Sequence, residues 1–303
     1  MVYRTGPKGD LPINPPGPST IDLHTHTRRS DGVLEPGALV AAASIVGVRQ
    51  LAITDHDTLA GYLDGRSAAT AAGVDLIPGV EINTVADDAD GFHEGELHLM
   101  GYGMDPQDSE LAVALAGQRH WRRERFDRMV RRLAELGLPI DDALEQVPLA
   151  DEDSLGRPTV ARALVAKGLA TSVDDAFRRL LSRGRPAYVP RLGLGPKDAT
   201  QAIVRAGGLA VLAHFGEGPA RPEVVRELRD LGVRGLEVWY RGFGAETVER
   251  LAALAVELRL VSTGGSDYHG DHETYAEAHA ALWVPPAVGA GLTDALSDVS
   301  ILQ

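Results

Sequence analysis

Short runs of apolar residues alternate along the chain with longer segments in which apolar residues recur at helical spacing. The short runs predict strands at Thr20–His24, Gln50–Thr54, Val74–Ile82, Glu96–Tyr102, Leu209–Ala213, Gly235–Trp239, Leu260–Thr263 and Ala281–Val284. The longer segments predict helices at Glu35–Val46, Thr58–Ala72, Pro196–Ala206, Pro222–Leu231 and Ala245–Leu258. This alternation of strand and helix predicts an α/β fold with parallel strands and crossover helices.

One long stretch, residues 104–185, contains no convincing strand and is predicted to form several helices, beginning with Ser109–Leu136. The apolar positions of this first helix follow helical spacing at Trp121, Phe126, Met129, Val130 and Leu133. Its arginines are interpreted as a solvated face paired with carboxylates; they are Arg122, Arg123, Arg125, Arg128, Arg131 and Arg132. We expect a helical lobe at 104–185, inserted into an α/β domain of residues 20–103 and 186–303. An extended, proline-rich lead-in is expected at residues 1–19.

The composition of the 303-residue chain, 44% hydrophobic and 24% charged, is ordinary for a globular protein. The absence of cysteine excludes disulfides, thiolate metal sites and a cysteine nucleophile. No apolar segment is long enough for a membrane helix, and the first residues do not resemble a secretory signal, so a cytoplasmic location is expected. The net charge of -13 disfavours binding to long nucleic acid, but it permits an anionic small molecule held by local arginines or cations.

Nearly all members of a set of six histidines and three carboxylates fall at or near the ends of predicted strands; Asp31 lies in a predicted loop. His24 and His26 are two residues apart on an extended backbone, so both imidazoles point to one side. Glu81 lies among apolar residues, where a carboxylate is costly to bury unless it is paired or binds a cation. The candidate metal ligands are His24, His26, Asp31, His56, Glu81, His98, His214, Asp267 and His269. The C-terminal ends of parallel barrel strands meet on one face, so these ligands should converge there.

Imidazoles and carboxylates suit zinc, manganese or iron, and nine ligands exceed what one ion needs. We therefore expect a centre of two or three ions. Other polar residues receive structural interpretations: Asp57 or Thr58 caps the following helix. The four remaining histidines are expected at the surface or behind the ligands; they are His93 in an acidic hairpin turn, His120, His272 and His279.

The ordered set of motifs resembles the polymerase and histidinol phosphatase (PHP) family from about residue 20 to about residue 285. The motifs are Asp22-Leu23-His24-Thr25-His26, Thr54-Asp55-His56-Asp57, Gly79-Val80-Glu81, His98, His214 and Gly265-Ser266-Asp267-Tyr268-His269-Gly270. The resemblance implies a distorted seven-stranded (β/α)7 barrel with a trinuclear metal site. It implies a first metal held by His24, His26, Glu81 and Asp267, a second held by Glu81, His98 and His214, and a third held by Asp31, His56 and His269.

The Ser30-Asp31-Gly32 segment and the helical insertion are similar to one subgroup of the family. That subgroup contains bacterial phosphoesterases acting on nucleoside 3',5'-bisphosphates and short oligonucleotides. Some family members have histidine at the position of Asp31, so the third site is more oxygen-rich here. Gly156-Arg157-Pro158 resembles a recurring motif of the insertion, although Thr159 replaces the usual histidine. Because arginine binds phosphate in a bidentate manner, substrate contacts are expected from Arg157, together with Arg183 or Arg185.

The resemblance implies metal-dependent hydrolysis of a phosphomonoester, with in-line attack by a hydroxide that bridges the metals. The favoured reaction removes the 3' phosphate of a nucleoside 3',5'-bisphosphate and leaves the 5'-monophosphate. A 5'-to-3' exonuclease on short RNA or DNA oligonucleotides is the close alternative. A histidinol-phosphate phosphatase is less favoured because of the insertion and Asp31. A non-catalytic metal-binding module ranks last because the ligand set is complete.

Overall fold

Seven strands form one nearly closed sheet in the computed structural model, which describes residues 18–86, 96–145, 154–270 and 273–301. The strands are β1 (Ile21–Asp22), β2 (Gln50–Ile53), β3 (Asp75–Val85), β4 (Glu96–Tyr102), β5 (Leu209–Leu212), β6 (Gly235–Tyr240) and β7 (Val261–Gly265). Each strand pairs with the next in sequence order. The two edges of the sheet meet just after β1, where the backbone N–H of Leu23 donates a 3.1 Å hydrogen bond to the carbonyl of Gly264 in β7. The distorted seven-stranded barrel is thereby confirmed.

The prediction of parallel strands is wrong for β4, which runs antiparallel to both β3 and β5, whereas the other pairs are parallel. Only ten residues, 86–95, connect β3 to β4. A parallel crossover needs a connection of about a dozen residues or more, so this short link favours a reversal. The reversal places the N-terminal end of β4 at the barrel mouth where the other strands have their C-terminal ends.

The predicted strand at Ala281–Val284 is also wrong, because these residues form a turn and an irregular connection between two helices. Leu282 and Val284 are nevertheless buried against the barrel, in contact with a cluster that includes Leu23 and Tyr102. A short buried apolar run has the same pattern in a strand and in an irregular segment. The apolar residues at 281–284 therefore predicted burial correctly and secondary structure incorrectly.

Helices cover the barrel between the strands. Within the described residues they are α1 (Pro36–Ile45), α2 (Ala60–Ala72), α3 (Ser109–Glu135), α4 (Asp141–Leu144), α5 (Arg157–Ala166), α6 (Val173–Ala176), α7 (Pro196–Arg205), α8 (Pro222–Leu231), α9 (Ala245–Leu258), α10 (Tyr275–Ala280) and α11 (Pro286–Ile301). Every predicted helix is present within two residues of its expected ends. Proline opens α1, α7 and α8, where its missing N–H leaves no helical hydrogen bond unmade. None of the described helices is long and apolar enough to cross a membrane.

The segment between β4 and β5 contains helices α3 to α6 and a π-helical turn at Phe177–Leu181. These elements bury a hydrophobic cluster of their own, which runs from Phe126 to Val189 and includes Met129, Leu133 and Leu164. The exact boundaries of a lobe at 104–185 and of the two barrel segments stay a prediction. The lead-in at 1–19 lies outside the described residues except for Pro18 and Ser19.

Candidate metal centre

All nine predicted ligands lie together at the mouth of the barrel. The loops after β1, β2, β5 and β7 carry His24, His56, His214 and Asp267, while Glu81 lies within β3. His98 reaches the same face from the N-terminal end of β4, because that strand is reversed. Donor atoms lie within 4.8 Å of one another in three groups, which are His24, His26, Glu81 and Asp267; Glu81, His98 and His214; and His26, Asp31, His56 and His269.

The first group is the most deeply buried. The Nε2 atoms of His24 and His26 lie 3.3 and 3.1 Å from Oε2 of Glu81. The same two nitrogens lie 3.3 and 3.2 Å from Oδ1 of Asp267. Two imidazole nitrogens and two carboxylate oxygens thus face one small volume, which is the donor set of a four-coordinate transition-metal ion.

The second group uses the other oxygen of the same glutamate. Oε1 of Glu81 lies 2.7 Å from Nδ1 of His98 and 3.1 Å from Nε2 of His214. These two ring nitrogens are 3.2 Å apart. Because the two oxygens of Glu81 face different groups, this side chain has the geometry of a bridging carboxylate.

The third group surrounds Asp31. Its Oδ1 lies 3.2 Å from Nε2 of His269, and its Oδ2 lies 3.4 Å from Nε2 of His56. Nδ1 of His26 is 3.7 Å from Oδ1, so His26 has one ring nitrogen toward this group and the other toward the first. The resemblance had not assigned His26 to a third metal.

The donor chemistry fits bound metal ions. Nε2 of His26 and Nδ1 of His56 are buried and form no hydrogen bond within the described part of the chain. Nδ1 of His98 and Nε2 of His214 face each other across 3.2 Å, and at least one of them must carry a proton or share a cation for this contact to be favourable. Buried polar atoms without partners are costly, and metal ions would satisfy these atoms together.

The carboxylates of the centre are strongly biased toward their charged form. Burial alone would raise the pKa of Glu81, but His56, His98 and His24 more than offset it and hold this pKa well below its ordinary value. Burial would also raise the pKa of Asp267, but His24, His269 and His26 more than offset it, and this pKa is lowered. In return, Asp267 and Glu81 overcome the burial of His26 and raise its pKa to about 10. The cluster without metal therefore holds protons that a metal would displace.

Several buried groups that the sequence interpretation did not single out hold the ligands in place. Oε1 of Glu237 lies 2.9 Å from Nδ1 of His24, and its Oε2 accepts a 2.7 Å hydrogen bond from the backbone N–H of His214. Asp55 accepts hydrogen bonds from the backbone and hydroxyl of Thr27, in the loop that carries Asp31. Such outer contacts orient ligating side chains and fix their tautomers.

The loops themselves have unusual backbone conformations at the centre. His214 and Asp267 have φ values of 30° and 49°, in the left-handed region that residues with a side chain rarely adopt. Asp267 is held there partly by its backbone N–H, which donates to the carbonyl of His24 at 2.8 Å. Strain of this kind is typical of functional sites, where surrounding contacts maintain it.

A cavity of about 330 Å³ opens beside the metal-ligand face. Its lining includes candidate ligands such as Glu81, His98 and His214 and also four arginines with buried side chains. These arginines, which we call the arginine array, are Arg122, Arg125, Arg157 and Arg191. The cavity thus joins a dense cluster of metal donors to a dense cluster of cations.

Two of the array members overturn the interpretation of α3 as a helix with a solvated arginine face. Arg122 and Arg125 are buried, while Trp121, expected on the apolar face, is exposed. Arg122 donates hydrogen bonds to the side chains of Asp57 and Asn83. Asp57 is therefore a buried ion-pair partner and not a helix cap; the hydroxyl of Thr58 accepts from Ala60 N at the start of α2 instead.

The predicted substrate arginines differ in their placement. Arg157 is buried at the start of α5 and lines the cavity, whereas Arg183 and Arg185 are exposed and lie outside the set of residues that line it. Of the other histidines, His120 is exposed, and His279 is buried with its Nε2 2.8 Å from the carbonyl of Ser19. His93, its hairpin turn and His272 lie outside the described residues.

Known proteins share this arrangement. The PHP domain matches residues 22–140 of the chain. The 5'-3' exoribonuclease Rnm of Escherichia coli is 35% identical over 274 residues, covering 88% of this chain and 90% of the relative. The 3',5'-nucleoside bisphosphate phosphatase of Chromobacterium violaceum is 32% identical, covering 88% and 93%. A crystal structure from Bifidobacterium adolescentis, assigned as a metal-dependent phosphoesterase, superimposes with a TM-score of 0.76 at 35% identity over 86% of this chain and 91% of that one.

The fold and the site define a metal-dependent phosphoesterase, which is a hydrolase. The chain belongs to the PHP domain family. The resemblance inferred from the motifs, the barrel fold and the enzyme class are therefore confirmed.

Proposed function

We propose that the protein hydrolyses the 3' phosphate of nucleoside 3',5'-bisphosphates, giving a nucleoside 5'-monophosphate and inorganic phosphate. The observation that carries this proposal is a cavity whose lining includes both the metal-donor cluster and the arginine array. A substrate with two phosphates can place one at each end of such a cavity. The activity named for the C. violaceum relative is the same reaction class.

The nine ligands would hold two or three ions of manganese, iron or zinc in the three groups described above. When bound, such ions activate a water molecule and offset the charge of the phosphate oxygens and of the leaving oxygen. The protein's own residues orient the metal ligands. In the neutral tautomer that binds metal, Nδ1–H of His24 would donate a hydrogen bond to Glu237, which leaves the lone pair on Nε2 directed into the first group. Glu81 supplies one oxygen to each of two groups.

The arginine array would bind the phosphate that does not react. Guanidinium groups bind phosphate oxygens through paired hydrogen bonds, and the four side chains are already buried and fixed by contacts with Asp57 and Glu96. Arg157 is the member foreseen from the sequence. The exposed positions of Arg183 and Arg185 give them no contact with this cavity, so Arg125 and Arg191 replace them in the proposal.

A 5'-to-3' exonuclease acting on short oligonucleotides is the second candidate. It is favoured by the 35% identity to the E. coli exoribonuclease across most of both chains. The same metal centre can act on a diester, and the array can bind a terminal 5' phosphate. Long RNA is a poor candidate substrate, since the net charge of -13 opposes binding along a polyanion. A cytoplasmic location remains part of the proposal.

One substrate comparison tests both candidates. Metal-loaded protein is assayed with adenosine 3',5'-bisphosphate, with 5'-phosphorylated RNA of three to five nucleotides, with long RNA and with histidinol phosphate. The proposal expects the highest kcat/KM for the bisphosphate, with release of the 3' phosphate alone. A higher kcat/KM for the short RNA would favour the exonuclease, and preference for histidinol phosphate would refute both.

A further inference from the structure

We propose that Glu96 is the positioning residue of the arginine array, and that its carboxylate holds Arg125, Arg157 and Arg191 in the arrangement that binds the second phosphate. The inference rests on the proposed function, because it explains how the second-phosphate site is built. Glu96 opens β4 and is buried beside the cavity. It touches no reacting group and acts only through the arginines.

The two oxygens of Glu96 divide the array between them. Oε1 lies 2.9 Å from Nη1 of Arg125 and 3.5 Å from Nε of Arg191. Oε2 lies 3.4 Å from Nη2 of Arg157. The three arginines come from α3, from the first residue of α5 and from the segment before α7, so this one carboxylate joins three separate parts of the chain.

The array keeps a donor available after these contacts are made. Nη2 of Arg125 is buried and forms no hydrogen bond within the described residues, whereas Nε of Arg191, which also forms none, faces Oε1 of Glu96 at 3.5 Å as an ion pair. Nε of Arg125 donates to the carbonyl of Val189 at 2.8 Å, which fixes the plane of its guanidinium. A buried donor without an acceptor, beside a cavity, points to an anionic ligand that accepts from it.

The balance of charge agrees with a phosphate ligand. Four guanidinium groups face two carboxylates, Asp57 and Glu96, so four positive charges less two negative charges leave two positive charges. A terminal phosphate monoester carries nearly two negative charges at neutral pH. Without Glu96, three buried cations would repel one another with no common partner, and their side chains would separate.

Glu96 supplies no donor to the three metal groups, although it lies beside one of their ligands. Its Oε2 lies 4.0 Å from Nε2 of His98, while Nδ1 of His98 is the nitrogen that faces Glu81. A change at Glu96 can therefore alter the array while the metal groups keep their donors.

The test compares wild-type and Glu96→Gln holoenzyme on adenosine 3',5'-bisphosphate and on p-nitrophenyl phosphate. Glutamine keeps the size of the side chain but removes the charge that joins the guanidinium groups. We expect KM for the bisphosphate to rise at least ~10-fold, which is the scale of one lost charge-assisted hydrogen bond, with a smaller effect on kcat. KM for p-nitrophenyl phosphate should change far less, and metal content should equal that of wild type.

Glu257→Gln is the matched control, because Glu257 pairs with Arg226 at 2.9 Å on the exposed surface. It should leave both substrates at wild-type values. If Glu96→Gln does not fold, Glu96→Asp is used in its place. Aspartate retains the charge, but its shorter side chain places the carboxylate farther from the arginines. An intermediate rise in KM is then expected for the bisphosphate and not for p-nitrophenyl phosphate.

The possible outcomes distinguish a failure of the proposed second-phosphate site from a failure of the role of Glu96. Wild-type enzyme with equal kcat/KM for both substrates would refute the second-phosphate site and this inference with it. Wild-type discrimination that persists unchanged in Glu96→Gln, or an equal loss for both substrates, would overturn the role of Glu96 alone.

Discussion

Nδ1 of His24 lies 2.9 Å from Oε1 of Glu237, and both side chains are fully buried. The other oxygen of Glu237 accepts from the backbone N–H of His214 at 2.7 Å. One carboxylate on β6 therefore fixes a ligand of the first metal group and the loop that carries a ligand of the second. Since imidazole has one proton to donate when neutral, this contact leaves the lone pair on Nε2 of His24 available to a metal ion that would also be held by Glu81 and Asp267.

Replacing Glu237 by glutamine should weaken metal binding by about 10- to 100-fold, which is the usual effect of losing a group that orients a ligand. The amide has the same shape but no charge to stabilise the tautomer of His24. Competition with a calibrated chelator measures the change in affinity, and circular dichroism checks the fold. The exposed Glu246 of α9 provides the control variant, Glu246→Gln. Wild-type affinity in Glu237→Gln would show that the contact does not orient His24.

Glu81→Gln should have the larger effect, because Glu81 alone supplies an oxygen to two of the three groups. We expect loss of most bound metal and a fall in kcat of at least ~100-fold, beyond the range for a residue that acts through a ligand. The barrel should stay folded, as judged by circular dichroism. Normal turnover by this variant would rule out a bridging role.

Metal analysis should find more than one transition-metal ion per chain. The physical reason is that three groups of donors share only Glu81 and His26, so one ion cannot contact all nine residues. Protein purified without oxygen, or reconstituted with manganese, iron or zinc, is analysed by mass spectrometry of the metals. A maximum of one ion per chain under every condition would contradict a multinuclear centre.

The pH dependence of stability should differ in sign between the metal-free and metal-loaded forms. In the metal-free protein, Asp267 and Glu81 overcome burial and raise the pKa of His26 to about 10. A group whose pKa is raised on folding contributes stability that is complete below its unfolded pKa, near 6.5, and is lost as pH rises through the folded value. The Tm of the metal-free protein should therefore fall between about pH 7 and pH 10.

Metal binding reverses this trend, because the metal needs neutral imidazole and releases the proton. Thermal unfolding is recorded across this pH range with metal and with chelator. His26→Asn should flatten the metal-free curve. A metal-free Tm that rises with pH would show that the centre does not hold an additional proton.

Arg157→Ala should raise KM for adenosine 3',5'-bisphosphate by about 10- to 100-fold, the scale of a lost hydrogen bond between charged groups. Its guanidinium lies in the cavity beside Glu96, whereas Arg183 is exposed outside it. Arg183→Ala is therefore the matched control and should keep a wild-type KM. Steady-state kinetics on both variants decide the assignment, and a larger effect from Arg183→Ala would reverse it.

Nearly all of the metal ligands could be predicted from the sequence because they interrupt an apolar strand or follow it closely; Asp31 is the exception, in the loop between β1 and α1. Glu237 carries the same signal, between Leu236 and Val238 in β6, and the reasoning applied to Glu81 would have found it. The orientation of β4 was less accessible, because the predicted strand ends leave thirteen residues, 83–95, between the two strands, which is long enough for a crossover. Only the longer β3 of the structure, which ends at Val85, makes the link too short.

The arginine array could not be predicted in the same way. The helical spacing of α3 places Arg122 and Arg125 on the same face as the buried Leu115, Met129 and Leu133, whereas Arg123 and Arg128 lie off that face. The spacing therefore indicated which arginines point inward, but it could not show what they bind. Their partners Asp57 and Glu96 come from the barrel, far away in sequence, and burial of a charged residue depends on such a partner.

The reversed strand β4 carries both Glu96 and His98, two residues apart in extended backbone. Such a step spans about 6.6 Å and returns the side chain to the same face of the sheet. The spacing between one ligand of the proposed hydrolytic centre and the carboxylate proposed to hold the second-phosphate arginines is thus set by the main chain of one strand. Inserting one residue between these two positions would turn Glu96 to the opposite face, so the length of substrate that fits is fixed by strand register.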